Sequence, residues 1–132
     1  MSNIVVLGAG MVGSTMAIDM AKKHNVTITD FSETALEKAI KKCDKLIPVV
    51  LDVTNTSELK KTIKPFDLVI CAVPGFLGFE TLKAIIEAKK NVIDISFFPE
   101  DSSELNSLAQ QKNVTAIVDC GVAPGMGNII LG

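Results

Sequence analysis

Arginine is absent from this 132-residue chain; all thirteen basic residues are lysine. No guanidinium is therefore available to grip a phosphate bidentately. Histidine is nearly absent too. His24 stands alone, which gives little support to a mechanism within this chain that needs a His pair or a Ser-His-Asp triad. The three cysteines, Cys43, Cys71 and Cys120, are odd in number, widely spaced and without a C-x-x-C pattern. Neither a disulfide framework nor a metal site is expected, and a reducing, cytoplasmic setting fits. No apolar run reaches the ~18 residues of a membrane span. Met1-Ser2-Asn3 lacks the basic start of a secretory signal, and the apolar stretch after it is broken by glycines. Net charge is −2 with no basic cluster, so the footprint of a nucleic-acid binder is missing. Neither a membrane nor a nucleic acid is an expected partner.

Apolar side chains are plentiful: 48% of residues are hydrophobic and 21% charged. That content excludes disorder. A chain of this length can bury roughly two-thirds of its unfolded surface, enough for one domain with its own core. Short β-branched runs alternate with segments of helical period. Strands are expected at 4–7, 26–29, 46–51, 68–72, 92–95 and 114–118. Helices are expected at 11–23, 32–42 (capped by Ser32), 56–63, 79–89 and 102–111. Strands without polar alternation, separated by helices, indicate an α/β fold with a parallel sheet covered on both faces. Right-handed crossovers then give a doubly wound Rossmann sheet of six strands in the order 3-2-1-4-5-6. Pro48 places the third strand at an outer position.

Gly8-Ala9-Gly10-Met11-Val12-Gly13 is a G-x-G-x-x-G between the first strand and the first helix. Gly8 serves the tight turn, Gly10 the approach of a pyrophosphate, and Gly13 the close packing of helix on strand. The helix N-terminus offers N–H groups and partial positive charge to phosphates, so Met11 and Val12 join the candidate contacts. Asp30, seventeen residues after Gly13, ends the second strand. There a carboxylate can accept from the adenosine ribose hydroxyls, and it would repel a 2′-phosphate. NAD is therefore expected over NADP, with Phe31 beside it. The alternative role for Asp30 is an ordinary cap of the next helix, and the two can coexist. Asp52 and Val53 end the third strand at an adenine pocket or in a plain turn. Ala72, Val73 and Pro74 follow the fourth strand at the switch point of the sheet, where ligands collect. Ser96 follows the fifth. Gly75 and Phe76, with Gly121 after the sixth strand, are candidates for the substrate side. No catalytic residue is assigned. Phe76, Leu77, Phe79, Phe97 and Phe98 are expected to form an apolar patch on the ligand edge, which predicts a homo-oligomer.

These segments together are similar to a known family. The glycine loop, the Asp52-Val53 turn, Val73-Pro74-Gly75-Phe76-Leu77-Gly78, Asp94-Ile95-Ser96-Phe97 and Gly121-Val122-Ala123-Pro124-Gly125 resemble the N-terminal NAD(P)-binding part of saccharopine dehydrogenase-like oxidoreductases. The lysine 6-dehydrogenase branch is the nearest in look. The resemblance implies a dinucleotide-binding domain over residues 1–132, with a substrate and dimerisation domain after it. It implies oxidation of a carbon beside an amine, with hydride passing to the nicotinamide and hydrolysis of the resulting imine. A small amino-acid substrate is the implied partner in the full enzyme. The competing class is a non-catalytic nucleotide-sensing regulatory domain of a potassium channel or transporter, which also carries a glycine loop and an acid after strand two. A broader amine or carbonyl reductase of the same fold is a third reading.

Overall fold

Six short apolar runs line up side by side. They are β1 (Asn3–Leu7), β2 (Asn25–Asp30), β3 (Ile47–Val50), β4 (Leu68–Cys71), β5 (Val92–Asp94) and β6 (Ala116–Ile117). Every pairing is parallel, and the order across the sheet is β3-β2-β1-β4-β5-β6. Helices α1 (Met11–Met20), α2 (Glu33–Lys42), α3 (Thr56–Ile63), α4 (Gly75–Glu87) and α5 (Asn106–Lys112) make the connections. The computed structural model describes residues 2–95 and 106–117. The doubly wound Rossmann arrangement expected from the sequence is the one observed.

Because strand side chains alternate between faces, the sheet sorts its apolar residues into two cores. Val5, Leu7, Val69, Cys71 and Val92 face Leu59 and Ile63 of α3 and Leu82, Ile85 and Ile86 of α4. Ile4, Val6, Val26, Ile28 and Ile70 face Ala17 of α1 and Leu36 and Ala39 of α2. Burial on both faces is why β1 and β4 read as nearly unbroken apolar runs. Met16 and Met20 pack partly buried against the second core. The β3 edge is blunted by Pro48. Leu51 N–H donates to the Asp30 carbonyl at 3.0 Å, so by in-plane alternation Val49 turns the same way and Pro48 turns outward. The N–H that proline lacks would have faced away from the sheet.

The start of α4 departs from the sequence expectation. Pro74-Gly75-Phe76-Leu77-Gly78 reads as a loop, with the helix beginning at Phe79. In the structure Pro74 is the N-cap and the helix begins at Gly75. A proline before the first turn has no N–H to leave unsatisfied, and Gly78 is buried, where packing offsets glycine's poor helix propensity. Gly75 and Phe76 therefore lie in a helical turn, not a loop. The expected apolar patch shrinks for the same reason, because Leu77 and Phe79 pack against the core. Phe97 and Phe98 lie outside the described residues.

Candidate functional site

An all-parallel sheet delivers the ends of all its strands to one edge, and here that edge carries the glycine loop. Gly8 has φ +105°, a backbone conformation costly for other residues, and a Cβ there would sit 2.4 Å from the Ala72 carbonyl oxygen. A Cβ on Gly13 would sit 2.1 Å from the Gly8 carbonyl oxygen. These two glycines are required by the protein itself. Gly10 is different: among the described residues nothing lies within 4 Å of where its Cβ would be. The space a side chain would take there is open, as a phosphate approaching the backbone requires.

Gly10 is also the N-cap of α1, with no side-chain cap and no acidic residue in the first turn. The first intrahelical bond of that turn runs from Ser14 N–H to the Gly10 carbonyl at 2.9 Å. The amides of Met11, Val12 and Gly13 precede it, at the positive end of the helix. By contrast α2 and α3 are closed, by Ser32 accepting from Ala35 N–H at 3.3 Å and Asn55 accepting from Glu58 N–H at 3.2 Å, each with an acid in its first turn. α4 begins open as well, behind Pro74. Since β1 and β4 are neighbours in the sheet, the two helix starts flank the switch point between them.

Asp30 does more than end β2. One carboxylate oxygen accepts from Ala9 N–H in the glycine loop and the other from Ser32 N–H, both at 2.8 Å. The helix cap itself is Ser32, so the capping alternative for Asp30 resolves into a turn bond just ahead of the helix. Phe31, Met11 and Val12 stand 77%, 86% and 60% exposed around this corner, unusually bare for large apolar side chains. Asp52 is exposed. It accepts from the Thr54 hydroxyl at 2.6 Å and Thr54 N–H at 3.0 Å. Those bonds, the hydroxyl's first, hold its carboxyl below the usual aspartate range. A carboxylate with a depressed pKa favours the folded state above the ordinary aspartate value, and that contribution fades as pH falls through the lowered one. Thr54→Val is therefore expected to raise the Asp52 pKa, read by a carbon-13 titration of its carboxyl; an unmoved pKa would contradict this origin.

Val53 is partly buried against the first core. Ala72 N–H donates to the Leu7 carbonyl at 2.8 Å, tying the end of β4 to β1. Val73 is buried and Pro74 exposed. Asp94, at the end of β5, is fully buried and in register with Cys71. Ser96 and Gly121 fall outside the described residues. Ala9 carries no signal in the sequence, because its contribution is a backbone N–H. The parallel register Leu7↔Thr29, one residue short of Asp30, is the signal that would have placed it there. Among the described residues no group of three or more metal-binding side chains gathers, and no helix is long and apolar enough to cross a membrane. A cavity of about 390 Å³ lies at the opposite edge, lined by Ile18, Lys22, Lys41, Lys42, Cys43 and Lys45 among others. Lys41 and Lys42 occupy the last turn of α2, where cations complement the negative helix end.

Residues 4–117 match the family model for the saccharopine dehydrogenase NADP binding domain. The chain belongs to this family. Its nucleotide-binding members are therefore the frame for the glycine loop, and the fold and the cradle at the switch point fit a nicotinamide dinucleotide. Over 128 residues the chain is 26% identical to saccharopine dehydrogenase [NADP(+), L-glutamate-forming] of Saccharomyces cerevisiae, covering 96% of this chain and 29% of that protein. It is 27% identical to mitochondrial alpha-aminoadipic semialdehyde synthase of Mus musculus, covering 96% of this chain and 14% of that one. The chain thus spans less than a third of the length of these curated relatives. The apo structure of the yeast saccharopine dehydrogenase superposes with a TM-score of 0.83 at 26% identity over 96% of this chain and 29% of that one. GenD2 from gentamicin A biosynthesis, solved in complex with NAD, shares the fold at TM-score 0.68 and 17% identity, over 89% of this chain and 34% of that one.

Proposed function

We propose that this chain binds NAD(H) at the glycine loop and forms the nucleotide-binding part of an amino-acid dehydrogenase. Its substrate class is lysine or saccharopine, the latter named by the family and by the yeast relative. Bound nicotinamide supplies the hydride chemistry. The chain's own residues hold and orient it: the amides of Met11 to Gly13 toward the pyrophosphate, Asp30 toward the adenosine ribose, and Phe31, Asp52 and Val53 around the adenine. Val73 and Pro74 are assigned to the nicotinamide side; by sequence position alone, Ser96 is assigned with them, and Gly75, Phe76 and Gly121 to the substrate. Membership of a dehydrogenase family supports an enzymatic role over a nucleotide-sensing one.

Asp30 carries the choice of NAD. The family description and the yeast relative both name NADP, so the preference rests on this chain's own chemistry. Each Asp30 oxygen accepts one backbone N–H, and a carboxylate has about four lone-pair sites, which leaves acceptors for ribose hydroxyls. A 2′-phosphate there meets like charge, with no arginine in the chain to receive it. Charge-assisted hydrogen bonds contribute roughly 1.5–3 kcal/mol. Calorimetric titration is thus expected to show NAD(H) binding at least about tenfold more tightly than NADP(H), with Asp30→Ala narrowing the ratio. Tighter NADPH binding by the wild-type chain would contradict the assignment. Assay of the protein carrying this domain with lysine and with saccharopine would separate the substrates.

A further inference from the structure

We propose that Asp30 is a positioning residue for the phosphate cradle, holding the glycine loop in its binding shape before any ligand arrives. The proposal rests on the dinucleotide reading above. Three chain segments meet at this one carboxylate: the β1–α1 turn through Ala9 N–H, the end of β2 through Asp30's own backbone, and the approach to α2 through Ser32 N–H. The loop is then pinned residue by residue. Gly8 N–H donates to the Thr29 carbonyl at 2.9 Å, Ala9 N–H donates to Asp30, and the next residue is Gly10, where the pinning gives way to the open N-cap of α1. The last fixed amide thus lies directly before the group that must face a phosphate.

Ala9 is itself buried, and its N–H points at a half-buried carboxylate at 2.8 Å. Without Asp30 the Ala9 amide would lack its acceptor, and burial without a partner is costly enough to shift the turn. The following amides would then leave their common aim. This gives Asp30 two separable effects. Its outward acceptors choose between ribose and 2′-phosphoribose, and its inward ones set the cradle that either cofactor needs. Removing the acid to change cofactor preference is expected to weaken both cofactors while narrowing their ratio.

Inorganic pyrophosphate separates the two effects because it has no ribose. Asp30→Ala and Asp30→Asn both remove a negative charge near an anion site, so an effect through charge alone makes both bind pyrophosphate more tightly than wild type. Positioning makes both bind more weakly. The alanine variant should lose about tenfold, and the asparagine variant less, because its amide oxygen can still serve one of the two N–H groups. The wild-type chain alone is also decisive if a variant fails to fold. Its Ala9 amide should exchange slowly with solvent and show a through-hydrogen-bond coupling to the Asp30 carboxyl carbon. Pyrophosphate binding equal to or tighter than wild type in Asp30→Ala, or a freely exchanging, uncoupled Ala9 amide, would overturn the proposal. A protected Ala9 in a chain that fails to bind NAD(H) would instead defeat the cofactor reading and leave the loop bracket standing.

Discussion

Gly10→Val should lose NAD binding by at least about a hundredfold, roughly 3 kcal/mol, in a protein that still folds. Both halves follow from the same observation. The position has φ −71° and ψ −171°, an extended conformation open to any residue, and its Cβ would touch no atom of the described residues within 4 Å. Valine is a poorer N-cap than glycine, which costs about 1 kcal/mol or less. What the side chain displaces is the phosphate. Calorimetric titration and thermal melting of the same sample check the pair of outcomes. Unchanged affinity would remove the phosphate from this loop, and loss of the fold would show that Gly10 has a structural duty not visible in its surroundings.

Gly13→Ala should do the reverse of what such a change does in an ordinary helix. Replacing an interior helical glycine by alanine normally stabilises by up to about 1 kcal/mol. Here the new methyl would stand 2.1 Å from the Gly8 carbonyl oxygen and 3.2 Å from the Ala72 Cβ. The first obstacle is backbone and cannot swing aside. Either α1 lifts off β1 or the turn at Gly8 opens, and Gly8 is already confined by Ala72. A loss of at least about 3 kcal/mol is expected, with a fall in melting temperature on the order of 10 °C. A stabilised variant would mean that helix and strand are not held as closely as the structure places them.

Much of this architecture is legible in the residues because it rests on strong periodic signals. The unbroken runs Ile4–Leu7 and Leu68–Cys71 belong to strands covered on both faces, and the right-handed crossover rule then leaves few strand orders. Pro48 marks the outer strand because the missing N–H can only face away from the sheet. The glycine loop is legible for a similar reason: three glycines at that spacing answer three distinct steric demands, of which the structure exhibits two as clashes and one as open space. The beginning of α4 is not legible. Proline and two glycines within five residues signal a loop, and only the burial of Gly78 and Leu77's packing on the core reveal why a helix is the better solution. Backbone donors are hidden in the same way. Alanine at position 9 advertises nothing, and its role emerges only once the parallel register sets it beside Asp30.

The central claim, that this edge of the sheet receives a nicotinamide dinucleotide, is tested most directly by mapping backbone amide shifts while NAD⁺ is titrated into the chain. Saturable shifts are expected at Gly10, Met11, Val12 and Gly13, with accompanying changes at Phe31 and Val53, and none at Cys43 to Lys45 on the opposite edge. Amides of the glycine loop that stay fixed while NAD⁺ saturates, or shifts gathered at the opposite edge, would contradict the account.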